Sequence, residues 1–174
     1  MITAIDGQSC ERAFIRAGKD AEWLAAFLKK YPAGFRLSWV KNYLAELYSR
    51  GAWDELDTLK PGAGQRRSEP PLKQVFVNYL IFEKITGLLM QGHKLTGETG
   101  AIWQVVKSGI DVGGETLGLG FDQLKDRYYR FRKHEPVRFI DNGRLIVGPA
   151  KAEADLNGKT VTFIGFWEYT PPPD

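Results

Sequence analysis

The side chains best equipped for chemistry in this chain are a cluster of cations. Between Phe121 and Arg138 stand Lys125, Arg127, Arg130, Arg132, Lys133 and Arg138, against Asp122, Asp126 and Glu135. Six cations minus three anions gives +3, the net charge of the whole protein, so the rest of the chain sums to zero. Positive charge focused in this way attracts a polyanion even when the total is small. Phe121, Leu124, Tyr128 and Phe131 recur at helical spacing, which predicts a helix over 121–134 with one buried face, stopped by Pro136. Across from that stripe fall Gln123, Arg127, Arg130 and His134. Arginine pairs bidentately with guanine, and glutamine with adenine, in a major groove. Gln123, Arg127 and Arg130 are therefore the candidate base readers. Lys125, Arg132 and Lys133 fall to the sides, where phosphates would lie, and Tyr129 offers a hydroxyl to a phosphate.

The elements around this helix carry a family likeness. The stretch V-G-G-E-T-L-G-L-G-F-D-Q-L-K-D-R-Y-Y-R-F-R-K, residues 112–133, resembles the second half of a helix-turn-helix unit. Gly114 stands at the small position where two helices approach closely. Leu117 takes the apolar position before the turn, Gly118 the turn glycine, Leu119 the apolar place after it, and Leu124 the buried position of the second helix. Where the family carries an apolar residue three places after Leu124, this chain has Arg127, with Tyr128 one place later. Beyond Pro136 the period changes to alternation, and Asn142-Gly143 between apolar runs signals a hairpin. A helix-turn-helix followed by a hairpin resembles winged-helix DNA-binding proteins. The resemblance implies DNA binding through the 121–134 helix, with a wing that brings Arg138 and Arg144 near the backbone.

Other chemistry finds less support. The run G-G-E-T-L-G-L-G lacks the Lys-Ser/Thr pair of a phosphate loop and reads as a turn. His93, His134 and Cys10 show no metal-ligand spacing, and His93 follows a helix stop, where it suits a cap. Tyr128 and Tyr129 are a loose match to enzymes that attack DNA with tyrosine, without the further basic and histidine residues such sites need. Asp54, Glu55 and Asp57 could bind Mg²⁺ for a nuclease, but acids near a helix N-terminus serve its dipole equally well. No catalytic residue, metal or cofactor is assigned.

Composition sets the fold class. Apolar residues make up 43% of the chain and aromatics 13%, enough for a core without metal or disulfide. The lone Cys10 excludes an internal disulfide. The first ten residues lack a basic stretch followed by an apolar run, so no signal peptide is expected. The most apolar run, around Val75 to Met90, is interrupted by Asn78, Glu83 and Lys84, so no membrane span is expected. A cytoplasmic location follows from these points. Further helices are predicted at Glu11–Ala17, after Asp20 up to Pro32, after a Ser38 cap up to Gly51, over Trp53–Leu59, Leu72–Gln91 and Gly97–Ser108. A second Asn-Gly pair, Asn157 and Gly158, precedes a strand over Thr160–Tyr169, whose aromatics suit an interface.

The expected fold is α+β: a mainly helical bundle, the helix-turn-helix-like unit, and a small C-terminal antiparallel hairpin or sheet. Four regions are expected: helical 1–60, a linker or long loop 61–71, helical 72–136, and β-rich 137–174. The expected function is DNA binding, as a small regulator or mobile-element accessory protein. In it Gln123, Arg127 and Arg130 read bases, while Lys125, Arg132, Lys133 and Arg144 hold phosphates. One alternative is a protein-interaction module or inhibitor that uses the basic helix and the aromatic C-terminal strand, through which a homodimer could also form. A metal-dependent nuclease is the other.

Overall fold

The computed structural model describes residues 3–50, 72–112, 114–156, 158–170 and 172. The helix expected at Trp53–Leu59, with Asp54, Glu55 and Asp57, and the linker expected at 61–71 lie outside the described residues. The fold is α+β, as expected. In chain order the elements are β1 (Ile5–Asp6), α1 (Gly7–Arg16), α2 (Ala21–Lys30), a 3-10 turn (Pro32–Arg36), α3 (Ser38–Ser49), α4 (Leu72–Met90), α5 (Ala101–Ser108), β2 (Ile110–Val112), β3 (Glu115–Leu117), α6 (Phe121–Arg132), β4 (Val137–Asp141), β5 (Arg144–Leu156) and β6 (Lys159–Tyr169). One sheet has the order β1-β4-β5-β6, and β2 pairs with β3 in a second. Among the described residues no helix is long and apolar enough to cross a membrane.

The chain forms two compact units. The first comprises Met1–Phe76, Pro136–Gly148 and Phe166–Asp174; the second comprises Val77–Glu135 and Pro149–Gly165. Sequence reasoning divided the chain into consecutive regions, whereas this division interleaves segments and runs through α4, β5 and β6.

In the first unit, Asp6 starts α1 by accepting bonds from the Gln8 and Ser9 amides. Asp20 caps α2 in the same way through the Glu22 amide, and Pro32 follows its end. Phe14, Leu24, Leu28, Leu37, Val40, Phe139 and Ile146 are buried at its core. Phe14 packs against Trp23, Trp39 and Tyr43, and Phe139 against Phe27 and Tyr31. The Asn142-Gly143 turn, at φ of 51° and 79°, joins β4 and β5 in antiparallel register from Asp141↔Arg144 to Val137↔Gly148. β1 pairs with β4 in parallel, Ile5 opposite Phe139. A Cβ at Gly7 would lie 2.8 Å from Leu37 and 2.9 Å from the Ile140 carbonyl, so the close approach of α1 to β4 requires glycine there.

Ser38 departs from the expectation. It is the first residue of α3 and not its cap, which falls at Leu37. The helix end is capped from a distant strand. Asp141 Oδ2 accepts from the Ser38 amide at 3.0 Å and from the Ser38 hydroxyl at 2.6 Å.

In the second unit, α4 supplies buried Val77, Tyr79, Ile81, Phe82 and Ile85 and ends before Gly92, at φ +92°. Phe82 stacks on Phe131 and Tyr128 of α6, with centroids 4.6 and 5.5 Å apart. α5 starts at Ala101, later than expected, and ends at Gly109, at φ +70°.

Residues 110–117 differ from the short helix that the helix-turn-helix likeness implies. They form an antiparallel hairpin, Ile110 opposite Leu117 and Val112 opposite Glu115. Ile110 and Val112 are buried and Asp111 exposed, the alternation of a strand. Gly114 takes φ +85° in the turn. Glycines cost a helix about 1 kcal/mol each, but they let a chain reverse.

Candidate nucleic-acid interface

Gly120 caps the start of α6, and its amide donates to Gln123 Oε1 at 3.1 Å. Leu124, Tyr128 and Phe131 are buried and hold the helix against α4 within the second unit. The phase of that stripe decides what each polar side chain can reach, and it divides the residues expected to bind.

The expected base readers are largely engaged. Gln123 is exposed, but its carbonyl serves the start of its own helix. Arg127 is half-buried, and its Nη1 donates to Asn78 Oδ1 of α4 at 3.3 Å. Arg130 is exposed and paired with Asp126 one turn back at 2.7 Å, the side chains 78% and 56% accessible. Such an exposed pair is worth only about 0.3–0.5 kcal/mol, so a phosphate could take the arginine over. His134 Nδ1 lies 2.8 Å from the Phe131 carbonyl.

The expected phosphate holders on α6 fare differently. Lys125, Arg132 and Lys133 are all exposed, and among the described residues none has a carboxylate partner. Tyr129 is 36% exposed, with the Arg132 guanidinium 5.9 Å from its ring centre. Tyr128 is buried, and burial raises its phenol above the usual pKa, the wrong direction for a nucleophile.

Arg144, expected to hold a phosphate, belongs to the first unit, and its guanidinium is occupied there. Nη2 donates to Asp141 Oδ2 and Nη1 to Glu168 Oε2, both at 2.9 Å. Glu168 also receives Arg36 at 3.4 Å, with Lys41 at 3.9 Å. Asp141 is 2% exposed. Burial pushes its pKa up, but the Ser38 bonds and Arg144 outweigh burial and hold it below the usual carboxylate range.

Sequence reasoning missed two contributors. Trp103 of α5 is 38% exposed, and its ring lies 5.0 Å from that of Phe121 at the start of α6. Lys107 follows one turn later on the same side and is exposed. The signal was present: with Ile102 and Val105 as the inward stripe of α5, Trp103 falls off it. His93 is bonded to Gln104 at 2.8 Å. Among the described residues no three His, Cys, Asp or Glu side chains group to hold a metal.

Compared with known proteins, the chain matches no family model, no curated relative and no solved structure.

Proposed function

We propose that the protein binds nucleic acid through the exposed side of α6, acting in the cytoplasm as a small DNA-binding regulator or accessory protein. One observation carries the reading: Lys125, Arg132 and Lys133 stand exposed on one helix without a carboxylate partner among the described residues. They belong to the segment that holds all of the protein's net charge. Unneutralised cations at this density cost self-repulsion, which a phosphodiester chain relieves while it releases its own counterions. Lys125, Arg132 and Lys133 hold phosphates in this reading, and Arg130 joins them by leaving Asp126. Gln123 keeps its amide nitrogen for a base edge. Arg144 has no part in it. The hairpin at 110–117 removes the first helix of a helix-turn-helix, so docking rests on α6 and its neighbour α5. Fluorescence anisotropy with labelled DNA tests the reading: affinity should fall steeply as salt rises, and absence of binding at low salt would end it.

A second reading is favoured by one feature of the sheet. Among the described residues β6 is an edge strand, with Tyr169 59% exposed near its end. Edge strands present unpaired backbone groups that a second copy can meet. In this reading two copies join edge to edge through β6. Sedimentation equilibrium decides it, since a strictly monomeric protein at high concentration would rule the homodimer out.

A further inference from the structure

We infer that the nucleic acid bound by α6 is single-stranded, with bases stacked on Trp103 and Tyr129 and phosphates held between them by Lys107, Lys125 and Arg132. The inference rests on the proposed nucleic-acid reading and names its ligand class. Its basis is an alternation of rings and cations across one surface of the second unit. Phe121, Lys125 and Tyr129 follow one another at steps of four along α6, with Arg132 three places on, so all four share one side of the helix. The row spans roughly 17 Å along the axis. At its start Trp103 meets Phe121, and Lys107 extends the row onto α5.

The two exposed rings on this surface each have a cation near in the helix: Lys107 stands one turn after Trp103, and the Arg132 guanidinium lies 5.9 Å from the Tyr129 ring centre. Trp103 and Tyr129 are 38% and 36% exposed, each packed on one neighbour and open enough for a base to cover. Base stacking on aromatic side chains, with a basic track for the backbone, is how single strands are held without sequence readout. A duplex fits this surface less well, because its bases already stack on one another and expose no face to Trp103. Asp122 and Asp126 are also exposed on α6. In a major groove, walled by phosphates on both sides, those carboxylates would oppose the backbone, whereas a single strand can follow the ring-and-cation row beside them.

The test compares a labelled oligothymidylate of about 15 nucleotides with a blunt duplex of equal length, for the wild type, Trp103→Ala, Trp103→Phe and Tyr129→Ala. Thermal melts establish that each variant is folded. The expected result is tighter binding of the single strand by about tenfold or more, the size of one good stacking contact. Trp103→Ala and Tyr129→Ala should each lower single-strand affinity by about tenfold and leave duplex affinity unchanged. Trp103→Phe, which keeps a stacking face, should recover most of the loss. If the duplex binds equally well or better and Trp103→Ala changes nothing, the single-strand inference is overturned while nucleic-acid binding stands. It is overturned as well if an abasic strand of equal charge competes as effectively as oligothymidylate. If neither strand nor duplex binds at low salt, both readings fall together.

Discussion

Two arginine-bearing surfaces in this protein look alike in sequence and differ in physics. Around Arg144, charge is turned inward: Asp141 is buried, Ser38 and Arg144 both donate to it, and Glu168 gathers Arg144, Arg36 and Lys41. Along α6, charge is turned outward, and Lys125, Arg132 and Lys133 meet solvent. The first arrangement holds a helix end to a strand. The second contributes nothing to the fold that the described structure reveals. A cation whose donors are already spent is structural; one whose donors are free is available to a ligand.

The largest effect is expected at Asp141. Asp141→Ala leaves Arg144 half-buried without one of its two carboxylate partners and uncaps α3, so it should cost about 3 kcal/mol. In a protein of this length that lowers the melting temperature by roughly 6–12 °C. Nucleic-acid affinity of the remaining folded protein should not change; if it falls in proportion, the two surfaces are not separate in role. The acid limb of stability probes the same inward cluster. Because the folded pKa of Asp141 lies below its unfolded value, its contribution is full above the unfolded pKa and lost as pH falls through the folded one. Denaturant titrations should show that contribution intact from neutral pH down to about pH 4 and shrinking below it. Asp141→Asn should lack this part of the acid dependence.

A smaller effect is expected from Arg144→Met, which keeps bulk and removes charge. It should destabilise by about 1–3 kcal/mol, because the buried Asp141 carboxylate loses its charged donor and keeps only Ser38, and leave the salt dependence of binding untouched. The smallest effect belongs to Arg130→Ala. Its exposed pair with Asp126 should be worth under about 0.5 kcal/mol in a melt, yet affinity should drop about threefold or more if Arg130 turns to a phosphate. An unaltered affinity would confine phosphate contact to Lys125, Arg132 and Lys133.

The contrast also shows what could be read from the residues alone. Local signals carried well. Asp20 before a helical stripe located α2, the all-round apolar pattern located α4, and Asn142-Gly143 announced the hairpin it makes. Long-range pairings did not. Ile5–Asp6 is too short to read as a strand, and its parallel partner lies more than a hundred residues away. Asp141 looked like one member of a turn, because nothing local shows that it caps α3. The glycines at 113–114 suited either a close helix approach or a reversal, and the alternation of Ile110, Asp111 and Val112 favours the strand. At the site, the buried stripe of α6 was legible, but Asn78 of α4 bonds Arg127 and leaves it half-buried. The outward row runs instead through Lys125 and Tyr129, and its continuation to Trp103 depends on how α5 packs.

The most direct test of the α6 surface is the salt dependence of oligonucleotide affinity for the wild type and a Lys125→Ala/Arg132→Ala double variant. Each lost single-strand phosphate contact removes about 0.7 from the slope of log affinity against log salt. The expected result is a wild-type slope that flattens by about 1.4 in the variant, with the melting temperature unchanged. Equal slopes for the two proteins, or no binding by the wild type at low salt, would contradict the assignment of Lys125 and Arg132 to a phosphodiester chain.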